Sequence, residues 1–385
     1  MIYTNMKLTQ RMFVNLKHEY YNECDVLCFK SKNLYNAANY TIRQYYLLNN
    51  KFINYHQLDK LMQKHEAYKA LPAKVSQQTL MMLDKNWKSF FNAQKSFKEN
   101  PQLFNKAPKP PQYLDKQKGR FLTIYSTQAT KKNNILSKTN IQIKTDKKYT
   151  EIRIVPKQFG YIIEIVYEQE CKDKKENGNY CSIDLGINNL ATITSNQTNP
   201  ILINGRIVKS INQFYNKKLS QITSKKKRNR LIQKRYFRLE NYFHHVSKFI
   251  INYCNKNNIS KIIIGYNKEW KQNINLSKKT NQSFCFIPYL NLINKIKYKS
   301  ELEGIELICV EESYTSKASS LDNDLMIKGE FSGKRIKRGL YRSKDGFIIN
   351  ADVNGSLNIG RKVIHELVVD RSLVARPLKV NPLKT

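Results

Sequence analysis

Three acidic positions stand at the edges of apolar runs, and their residue types suggest metal-dependent chemistry. Asp184 lies in CSIDLGINNLATIT at residues 181–194, where the pattern predicts a buried strand, a glycine-containing turn and a second strand. A carboxylate inside a core strand is costly unless a metal ion or hydrogen bonds compensate its charge. Glu311–Glu312 ends the apolar run IELICV, and Asp352 stands at the predicted start of the last helix. Three such acids at one end of a sheet could hold divalent metal for phosphodiester cleavage.

Each acid also has a simpler structural interpretation. Asp184 could cap the following turn, although its apolar flanks favour a role in a site. Asp352 at a helix start is typical of an N-cap, and such an aspartate can still face a neighbouring strand end. Asn354 and Asn358 fall on about the same helical face and are predicted to orient Asp352. The paired glutamates after a strand could simply be solvated loop residues.

The charge balance predicts a polyanionic partner. The 385 residues include 67 Lys and Arg against 30 Asp and Glu, a formal net charge of +37. Over this length nucleic acid is favoured over a patch of membrane surface. One of the densest basic runs is predicted to contact phosphates from a helix, with a nuclear-localisation signal as the alternative. Its basic residues are Lys225, Lys226, Lys227, Arg228, Arg230, Lys234, Arg235 and Arg238.

Other features argue against membrane and secreted classes of protein. No apolar run is long enough to cross a bilayer, and the N-terminus lacks the core of a signal peptide. The seven cysteines are scattered, several of them in apolar runs, which indicates reduced thiols. We therefore expect an intracellular protein without a membrane partner.

The first half of the chain predicts a small antiparallel β-barrel with a helical insert. A β segment is expected within residues 1–15, and a helical pattern follows from about Lys17 to Phe97. The Pro-rich run NKAPKPPQ at 105–112 marks a boundary, and short alternating strands follow it across 121–167.

The second half predicts an RNase H-like α/β domain. Three strands across 181–203 precede a long basic helical region at about 208–256. A strand, a helix and another strand are then expected up to residue 310. The last helix should run from about Asp352 through Ile364.

Several motifs in this order resemble the TnpB (OrfB) proteins of bacterial insertion sequences and their eukaryotic and viral relatives, the Fanzor proteins. The resemblance covers nearly the whole chain. ALPAKVSQQ at 70–78 and LDKNWKSFF at 83–91 agree with the N-terminal half of the family. The main motifs are DLGINNLAT at 184–192, IIIGYNKEWKQ at 262–272, EESYTSKAS at 311–319, FSGKRIKRGLYRSKDG at 331–346 and INADVNGSLNI at 349–359.

The resemblance implies an RNA-guided DNA endonuclease with a RuvC-like domain, which cuts both strands of target double-stranded DNA. A β-barrel wedge domain and a helical recognition lobe are expected to hold a guide RNA (omega RNA) and to read a short target-adjacent motif. The expected cofactor is Mg²⁺, with Mn²⁺ as an alternative. We expect one protein chain per guide RNA, located in the bacterial cytoplasm or, for a Fanzor protein, in the nucleus.

The same resemblance divides the chain into domains. The expected parts are the first part of the wedge barrel (1–15), the helical recognition lobe (16–112), the second part of the barrel (113–177), the first part of the RuvC-like domain (178–312), a basic insert in the zinc-ribbon position (313–345), the last part of the RuvC-like domain (346–370) and a tail (371–385).

The first departure from the family pattern concerns the second acid. Where most TnpB proteins have it, this chain has Gly265. The resemblance to Fanzor and to a TnpB subgroup implies a relocated acid three residues before the TSK at 315–317, which is Glu312. Glu311 and Glu269 remain alternatives for this role. The expected catalytic and metal-binding set is Asp184, Glu312 and Asp352.

The second departure concerns the zinc ribbon. The usual cysteine pair after TSK is replaced by Ala318, Ser319 and Ser320, and no cysteine follows Cys309. A tetrahedral thiolate site cannot form there, so no zinc is expected. A metal-free basic hairpin is expected instead, and its residues predicted to contact guide or target backbone are Lys334, Arg335, Lys337, Arg338 and Arg342.

Two other functions stay open at this point. A nuclease-dead RNA-guided DNA-binding protein is compatible with Gly265 in place of the usual acid. A DNA-strand-transferring transposase would use similar acids. The presence of Asp184, Asp352 and a candidate Glu312 favours the endonuclease.

Overall fold

The structure is a computed structural model that describes residues 5–49, 51–267, 285–364, 367 and 369–384. The chain divides into two compact units, Asn5–Gln169 and Glu170–Thr385. Each unit has its own buried apolar core. Within the described ranges, no helix combines the length and the apolar character needed to cross a lipid bilayer.

The predicted helical region is confirmed in the N-terminal unit. Its helices are α1 (Tyr21–Asn49), α2 (Tyr55–Met62), α3 (Glu66–Lys69) and α4 (Ala73–Glu99). α2 begins with a capping box in which the side chains of Asn54 and Gln57 each accept the other's backbone N–H. Pro72 directly precedes α4, where its ring removes no helical hydrogen bond. Trp87 is buried and donates to Asn39 Oδ1 at 3.0 Å, so this tryptophan is a core residue.

The strands of the N-terminal unit form a four-stranded sheet in the order β1, β6, β5, β2. The sheet strands are β1 (Asn5–Val14), β2 (Thr123–Ser126), β5 (Tyr149–Lys157) and β6 (Gly160–Glu170), and β3 (Thr130–Lys131) pairs separately with β4 (Ile135–Leu136). β5 and β6 form the predicted hairpin. The predicted strand at 141–143 makes only an isolated bridge, between Gln142 and Ile135. Among the described residues β1 and β2 are the sheet edges, and the closed barrel stays a prediction.

The C-terminal unit contains a six-stranded mixed sheet in the order β11, β10, β7, β8, β9, β15. Its strands are β7 (Tyr180–Asp184), β8 (Asn189–Ser195), β9 (Ile201–Asn204), β10 (Lys261–Gly265), β11 (Glu306–Val310) and β15 (Leu378–Val380). The first three are antiparallel neighbours, whereas β10 is parallel to both β7 and β11. This mixed α/β arrangement agrees with the RNase H-like order predicted from the sequence.

The last strand differs from the sequence prediction, which gave only a tail over 371–385. β15 pairs in parallel with the edge strand β9, with Lys379 opposite Leu202. The short helix α9 (Arg371–Val374) precedes it, and Val374 is buried in a second small core. A strand of three residues shows no alternation long enough to be recognised in a sequence.

The helices α5 (Arg206–Ser220), α6 (Lys225–Lys256) and α7 (Tyr289–Leu302) carry most of the apolar surface that covers one side of the large sheet. The sequence predicted one helical region at 208–256, but the structure interrupts it at 221–224. Thr223 and Ser224 are weak helix formers, which accounts for the break. The predicted apolar face of α6 is confirmed, because its members are all buried: Leu239, Phe243, Val246, Ile250 and Tyr253.

Because side chains alternate along a strand, Ser182 and Asp184 of β7 face the helix α8 (Ala351–Arg361), which packs against the sheet. Ile183 belongs to the core shared with α6 and α7, whereas its neighbours in sequence face the other side. The hydroxyl of Thr194 bonds those of Ser182 at 2.8 Å and Ser356 at 2.9 Å, and all three are buried. These bonds attach α8 to the strands and place its first turn beside Asp184.

The basic insert forms a three-stranded sheet held by two aspartates. Its strands are β12 (Lys334–Lys337), β13 (Leu340–Arg342) and β14 (Ile348–Asn350), and the first two make the predicted hairpin. Asp324 accepts the backbone N–H groups of Ser319 at 2.8 Å and Ser332 at 3.1 Å. Asp322 accepts the Ser319 hydroxyl and, at 2.9 Å, the backbone N–H of Lys344. Carboxylate hydrogen bonds therefore tie together the two ends of the insert.

We predict that this network, and not zinc, stabilises the insert. Asp324→Ala should lower the free energy of unfolding by roughly 1–3 kcal/mol, because it leaves backbone N–H groups without their acceptor. Thermal denaturation would measure the loss, with Glu330→Ala as the control, since Glu330 is an exposed acid of the same insert. EDTA should leave the wild-type melting temperature unchanged. A stoichiometric zinc content in the purified protein, by elemental analysis, would contradict this interpretation.

Candidate active site

Asp184 is the last residue of β7, and ionisation of its buried carboxyl group is energetically costly. Burial, and to a lesser extent the nearby carboxylate of Asp352, raise the pKa of its carboxyl group to about 7, against an opposing effect of Arg335. Its carboxylate lies against α8: a Cβ atom at Gly355 would be 3.0 Å from Asp184 Oδ2. The absence of a side chain at Gly355 therefore lets the helix approach the acid closely.

Asp352 is the second residue of α8, and it is not the N-cap. That role belongs to Asn350, whose Oδ1 accepts the backbone N–H groups of Asp352 at 2.9 Å and Val353 at 3.3 Å. The Asp352 carboxylate is consequently left for other contacts. Asn189 donates to its Oδ2 at 2.8 Å, and Arg335 approaches its Oδ1 at 3.8 Å.

Glu312 occupies the space above Gly265. A Cβ atom at Gly265 would be 2.3 Å from Glu312 Oε1 and 2.6 Å from Glu312 Cγ, so a larger residue there would displace the glutamate. The backbone N–H of Glu312 donates to Asn267 Oδ1 at 2.8 Å. Burial and the charge of Asp184 raise the pKa of Glu312 to about 8, against a smaller opposing effect of Lys362. Oε1 is buried without a hydrogen-bond partner among the described residues.

Glu311 and Glu269, the other two candidates for the relocated acid, are placed differently from Glu312. Glu311 is exposed to solvent and is not among the charges that shift the pKa of Asp184 or of Glu312. Glu269 lies outside the described residues. The structure thus places Glu312 close enough to Asp184 for the two charges to interact, and it does not place Glu311 there.

Asn354 and Asn358 do not orient Asp352, contrary to the expectation from helical spacing. Asn354 Nδ2 donates to the backbone carbonyl of Ala318 at 2.8 Å, and Asn358 Nδ2 donates to that of Thr315 at 2.9 Å. Both amides are buried and attach α8 to the start of the basic insert. The amide that contacts Asp352 is Asn189, which nothing in the sequence pattern singles out.

Tyr289 is a further residue that the sequence analysis missed. It is the first residue of α7 and is almost fully buried. The pKa of its hydroxyl is raised chiefly by burial and then by the charges of Asp184 and Glu312. Its ring therefore forms part of the poorly solvated surroundings that make the acids costly to ionise.

The acids have the chemical character of a divalent-cation site. In the described ranges, no three His, Cys, Asp or Glu side chains already converge as a compact metal cluster. A cation that prefers oxygen ligands would nevertheless meet two needs of these acids. It would give the buried Glu312 Oε1 the partner that it lacks among the described residues, and it would offset the repulsion between Asp184 and both other acids. Carboxylate oxygens are the donors that Mg²⁺ and Mn²⁺ take. The residues therefore fit such an ion.

The predicted basic residues of α6 fall into two groups. Arg228 donates to the backbone carbonyls of Leu219 and Ile222, and Arg235 donates to Asn212 Oδ1 while its guanidinium stacks on Phe286. These two arginines serve the packing of the unit. The remaining members of the run are exposed: Lys225, Lys226, Lys227, Arg230, Lys234 and Arg238.

The basic residues of the hairpin are all exposed, and one of them belongs to the acidic site. Lys334, Lys337, Arg338 and Arg342 are solvent-accessible on β12, β13 and the turn between them. Arg335 extends from the same hairpin to Asp352. The sequence indicated the charge of this segment but not its position beside the acids.

Comparisons with known proteins find two family models and a viral relative that are similar to parts of this chain. A family model described as "Probable transposase" (OrfB_IS605) matches residues 164–271, and one described as "Cas12f1-like, TNB domain" matches residues 289–359. A TnpB-like protein, ORF457 of Acidianus two-tailed virus, is 25% identical in an alignment 232 residues long that covers 55% of this chain. The aligned part is 48% of that relative, so the chain spans about half the length of the curated protein it matches.

Solved structures show the same fold. The Cas12f1 chain in a "Cas12f1-sgRNA-target DNA complex" has a TM-score of 0.54 at 15% identity, over 89% of this chain and 82% of that one. The "mini-RNA-guided endonuclease CRISPR-Cas_phi3" has a TM-score of 0.50 at 8% identity, over 93% of this chain and 92% of that one. The matches confirm the resemblance to the TnpB family that the motifs indicated.

The raised pKa values predict how the metal-free protein responds to pH. Because Asp184 and Glu312 hold their protons more tightly when folded, stability should fall as pH rises from about 4 to about 8. Asp184→Asn removes one of these costs, so in EDTA at pH 8 it should stabilise the protein by about 2 kcal/mol, an increase of roughly 5 °C in melting temperature. The gain should shrink towards pH 4.

Thermal denaturation across this pH range would test the prediction, with Asp146→Asn as the control because that carboxylate is exposed. Mg²⁺ at pH 8 should raise the melting temperature of the wild type more than that of Asp184→Asn. A pH-independent difference between the two proteins would mean that Asp184 is not the strained acid.

Proposed function

We propose that the protein is an RNA-guided DNA endonuclease of the TnpB type, which cuts target double-stranded DNA beside a short target-adjacent motif by metal-dependent hydrolysis. The observation that carries the proposal is the seating of Glu312 above Gly265, beside Asp184. It supplies a third acid where the chain lacks the usual one. The relatives support the guided part of the function, since one is described with a guide RNA and target DNA and another as an RNA-guided endonuclease.

In this proposal Asp184, Glu312 and Asp352 hold Mg²⁺, with Mn²⁺ as an alternative. The ion, when bound, supplies the activation of water and the stabilisation of the leaving oxygen. Asn189 holds Asp352 Oδ2 and so fixes the orientation of that carboxylate. Arg335 lies where its guanidinium can neutralise a phosphate that approaches the acids. Tyr289 and the surrounding core limit the access of bulk water.

The partners are a guide RNA and target double-stranded DNA, with one chain per guide. The excess of basic residues supports this, because contacts to phosphates dominate the affinity for nucleic acid. The exposed lysines and arginines of α6 and of the hairpin are proposed to contact the backbones. The wedge and recognition functions are assigned to the parts of residues 1–177 given above, and no zinc is required in the insert.

One alternative from a different class has a specific observation in its favour. The family model matched by residues 164–271 is described as a transposase, and strand transfer would use the same acids. Transfer of a labelled donor end without any guide RNA would establish it. The nuclease-dead binder is less well supported, because a binder has no need for two acids, Asp184 and Glu312, whose ionisation is opposed by burial and by a neighbouring carboxylate.

The test is plasmid cleavage by the protein co-purified with its guide RNA in the presence of Mg²⁺. Asp184→Ala and Glu312→Ala should each lower the rate at least about 100-fold, since each removes a main electrostatic contribution to the transition state. Asp184→Ala should leave binding of the guide RNA nearly intact. Glu311→Ala is the matched control, the same change at the adjacent exposed position, and should cut normally, as should Glu269→Ala.

Each failure of this test has a distinct meaning. Loss of cutting in Glu311→Ala or Glu269→Ala instead of Glu312→Ala would reassign the third acid. Absence of cutting by the wild type, with guided binding intact, would establish the nuclease-dead binder.

The relocation of the third acid can be tested by reversing it. Glu312→Ala removes the glutamate atoms above Gly265, and Gly265→Glu would supply a carboxylate there from β10 once the end of the Ile359 side chain, 2.5 Å from a Cβ atom at Gly265, has shifted. The double variant should recover cutting to within about 100-fold of the wild type, because a misplacement of about 1 Å costs on the order of that factor. Gly265→Ala in the same Glu312→Ala background provides the control and should recover nothing. Equal rates for the two double variants would show that the space above Gly265 is not part of the active site.

A further inference from the structure

The C-terminal strand β15 forms one wall of a cleft that reaches the candidate active site. The cleft has a volume of about 640 Å³ and lies between the edge of the large sheet and the basic hairpin. Asp352 and Asn189 line it on one side, and Lys379 of β15 lines it as well. Its volume is in the range of clefts that bind a ligand. The end of the chain is therefore in a position to contact whatever reaches Asp352.

The walls of this cleft are strongly basic. Four cations line it, and Asp352 is the single carboxylate among its lining residues. Arg335 is engaged with Asp352, whereas in the described part of the chain Arg206, Arg338 and Lys379 take part in no ion pair. Three uncompensated cations beside one acid attract an anion. Because they come from three separate elements, they suit an extended polyanion better than a single small phosphate.

The first turn of α5 adds to this attraction. The helix begins at Arg206, whose N–H donates to Asn204 Oδ1 at 3.0 Å, and its N-cap, Gly205, has no side chain to accept the N–H groups that follow. Asn204 and Arg206 both line the cleft, so the positive end of the helix dipole lies at its wall. The electric field of the helix dipole therefore attracts an anion in addition to the side-chain cations, and its effect does not depend on them.

The position of Lys379 is set by strand pairing and not by a flexible tail. β15 pairs with β9 through Leu378, Lys379 and Val380, and Leu378 N–H donates to Pro200 O at 2.8 Å. The side chain of Lys379 remains exposed. A cation held by a paired strand loses little further backbone freedom when it binds a phosphate.

We infer that β15 takes part in the proposed nuclease reaction by binding DNA. Lys379 of β15 and Arg206 on the same cleft bind the backbone phosphates of single-stranded DNA next to the phosphodiester bond that is cut at Asp352. The inference rests on the proposed function for the identity of the reaction. The binding site itself follows from the cleft and its charges.

The experiment locates single-stranded DNA on the full-length protein without relying on cleavage. A short oligothymidylate carrying photoreactive 4-thiothymidine is cross-linked to the protein in EDTA, and the modified peptides are identified by mass spectrometry. The wild type should yield cross-links in the peptides that contain Lys379 and Arg206. Lys379→Glu should abolish the first of these, and Lys379→Arg should retain it. Lys384→Glu is the matched control, an exposed lysine of the same terminal segment that does not line the cleft.

A second measurement counts the phosphate contacts. The slope of log affinity against log salt for the same oligomer should decrease by about 0.7 in Lys379→Ala and stay unchanged in Lys384→Ala, because each contact to a single strand contributes about that much. Equal slopes and cross-links confined to other surfaces would overturn the inference. Cross-linking of an oligouridylate but not of the oligothymidylate would also overturn it, in favour of an RNA site.

The two proposals fail separately. Cross-links at Lys379 without guided cleavage by the wild type would leave the binding site standing and remove the proposed endonuclease. Guided cleavage that is equally fast in Lys379→Glu and Lys384→Glu, with no cross-link at β15, would remove only the inference about the C-terminal strand.

Discussion

The burial of neighbouring acids at the end of β7 is the main electrostatic constraint on the C-terminal unit. Burial and mutual repulsion both oppose ionisation of Asp184 and Glu312, and no hydrogen bond in the described residues relieves Glu312 Oε1. Replacing such a cluster with apolar residues commonly leaves a protein as stable or makes it more stable. Stability therefore gives no reason for these acids to be present, whereas the cation binding that we propose would give one. Gly355, the Asn189 amide and the guanidinium of Arg335 arrange the surroundings of the acids around that requirement.

The register of the parallel strands explains how an acid can be supplied from a different position in the sequence. Gly265 pairs with Val310, so β10 and β11 end side by side at the same edge of the sheet. Glu312 is two residues beyond that pair and extends over its neighbour's end. On the proposed function, the space above Gly265 must hold a carboxylate, and either strand could provide it. The requirement on β10 is then for the smallest residue, because any Cβ atom at Gly265 would meet the glutamate.

Local patterns were sufficient to predict the order of the strands from β7 to β11, the apolar face of α6 and the placement of Asp184 in a buried strand. They were not sufficient where a role depends on contacts between distant segments. Asn189 and Asp352 are 163 positions apart, and neither the turn nor the helix start shows that they touch. The spacing of Asn354 and Asn358 gave the correct helical face but the wrong partner, because the basic insert lies against that face. Short elements such as β15 leave no periodic pattern at all.

The hydrogen bonds of the basic insert explain how Arg335 is held beside Asp352. Asp322 and Asp324 bind backbone N–H groups from both ends of the insert, and such charged bonds are directional and about twice as strong as neutral ones. The hairpin that they support carries Arg335 to Asp352. On the proposed function, a phosphate that draws Arg335 away also removes the cation that partly neutralises Asp352. Substrate binding would then increase the affinity of the acids for metal, which couples the two events through a single guanidinium.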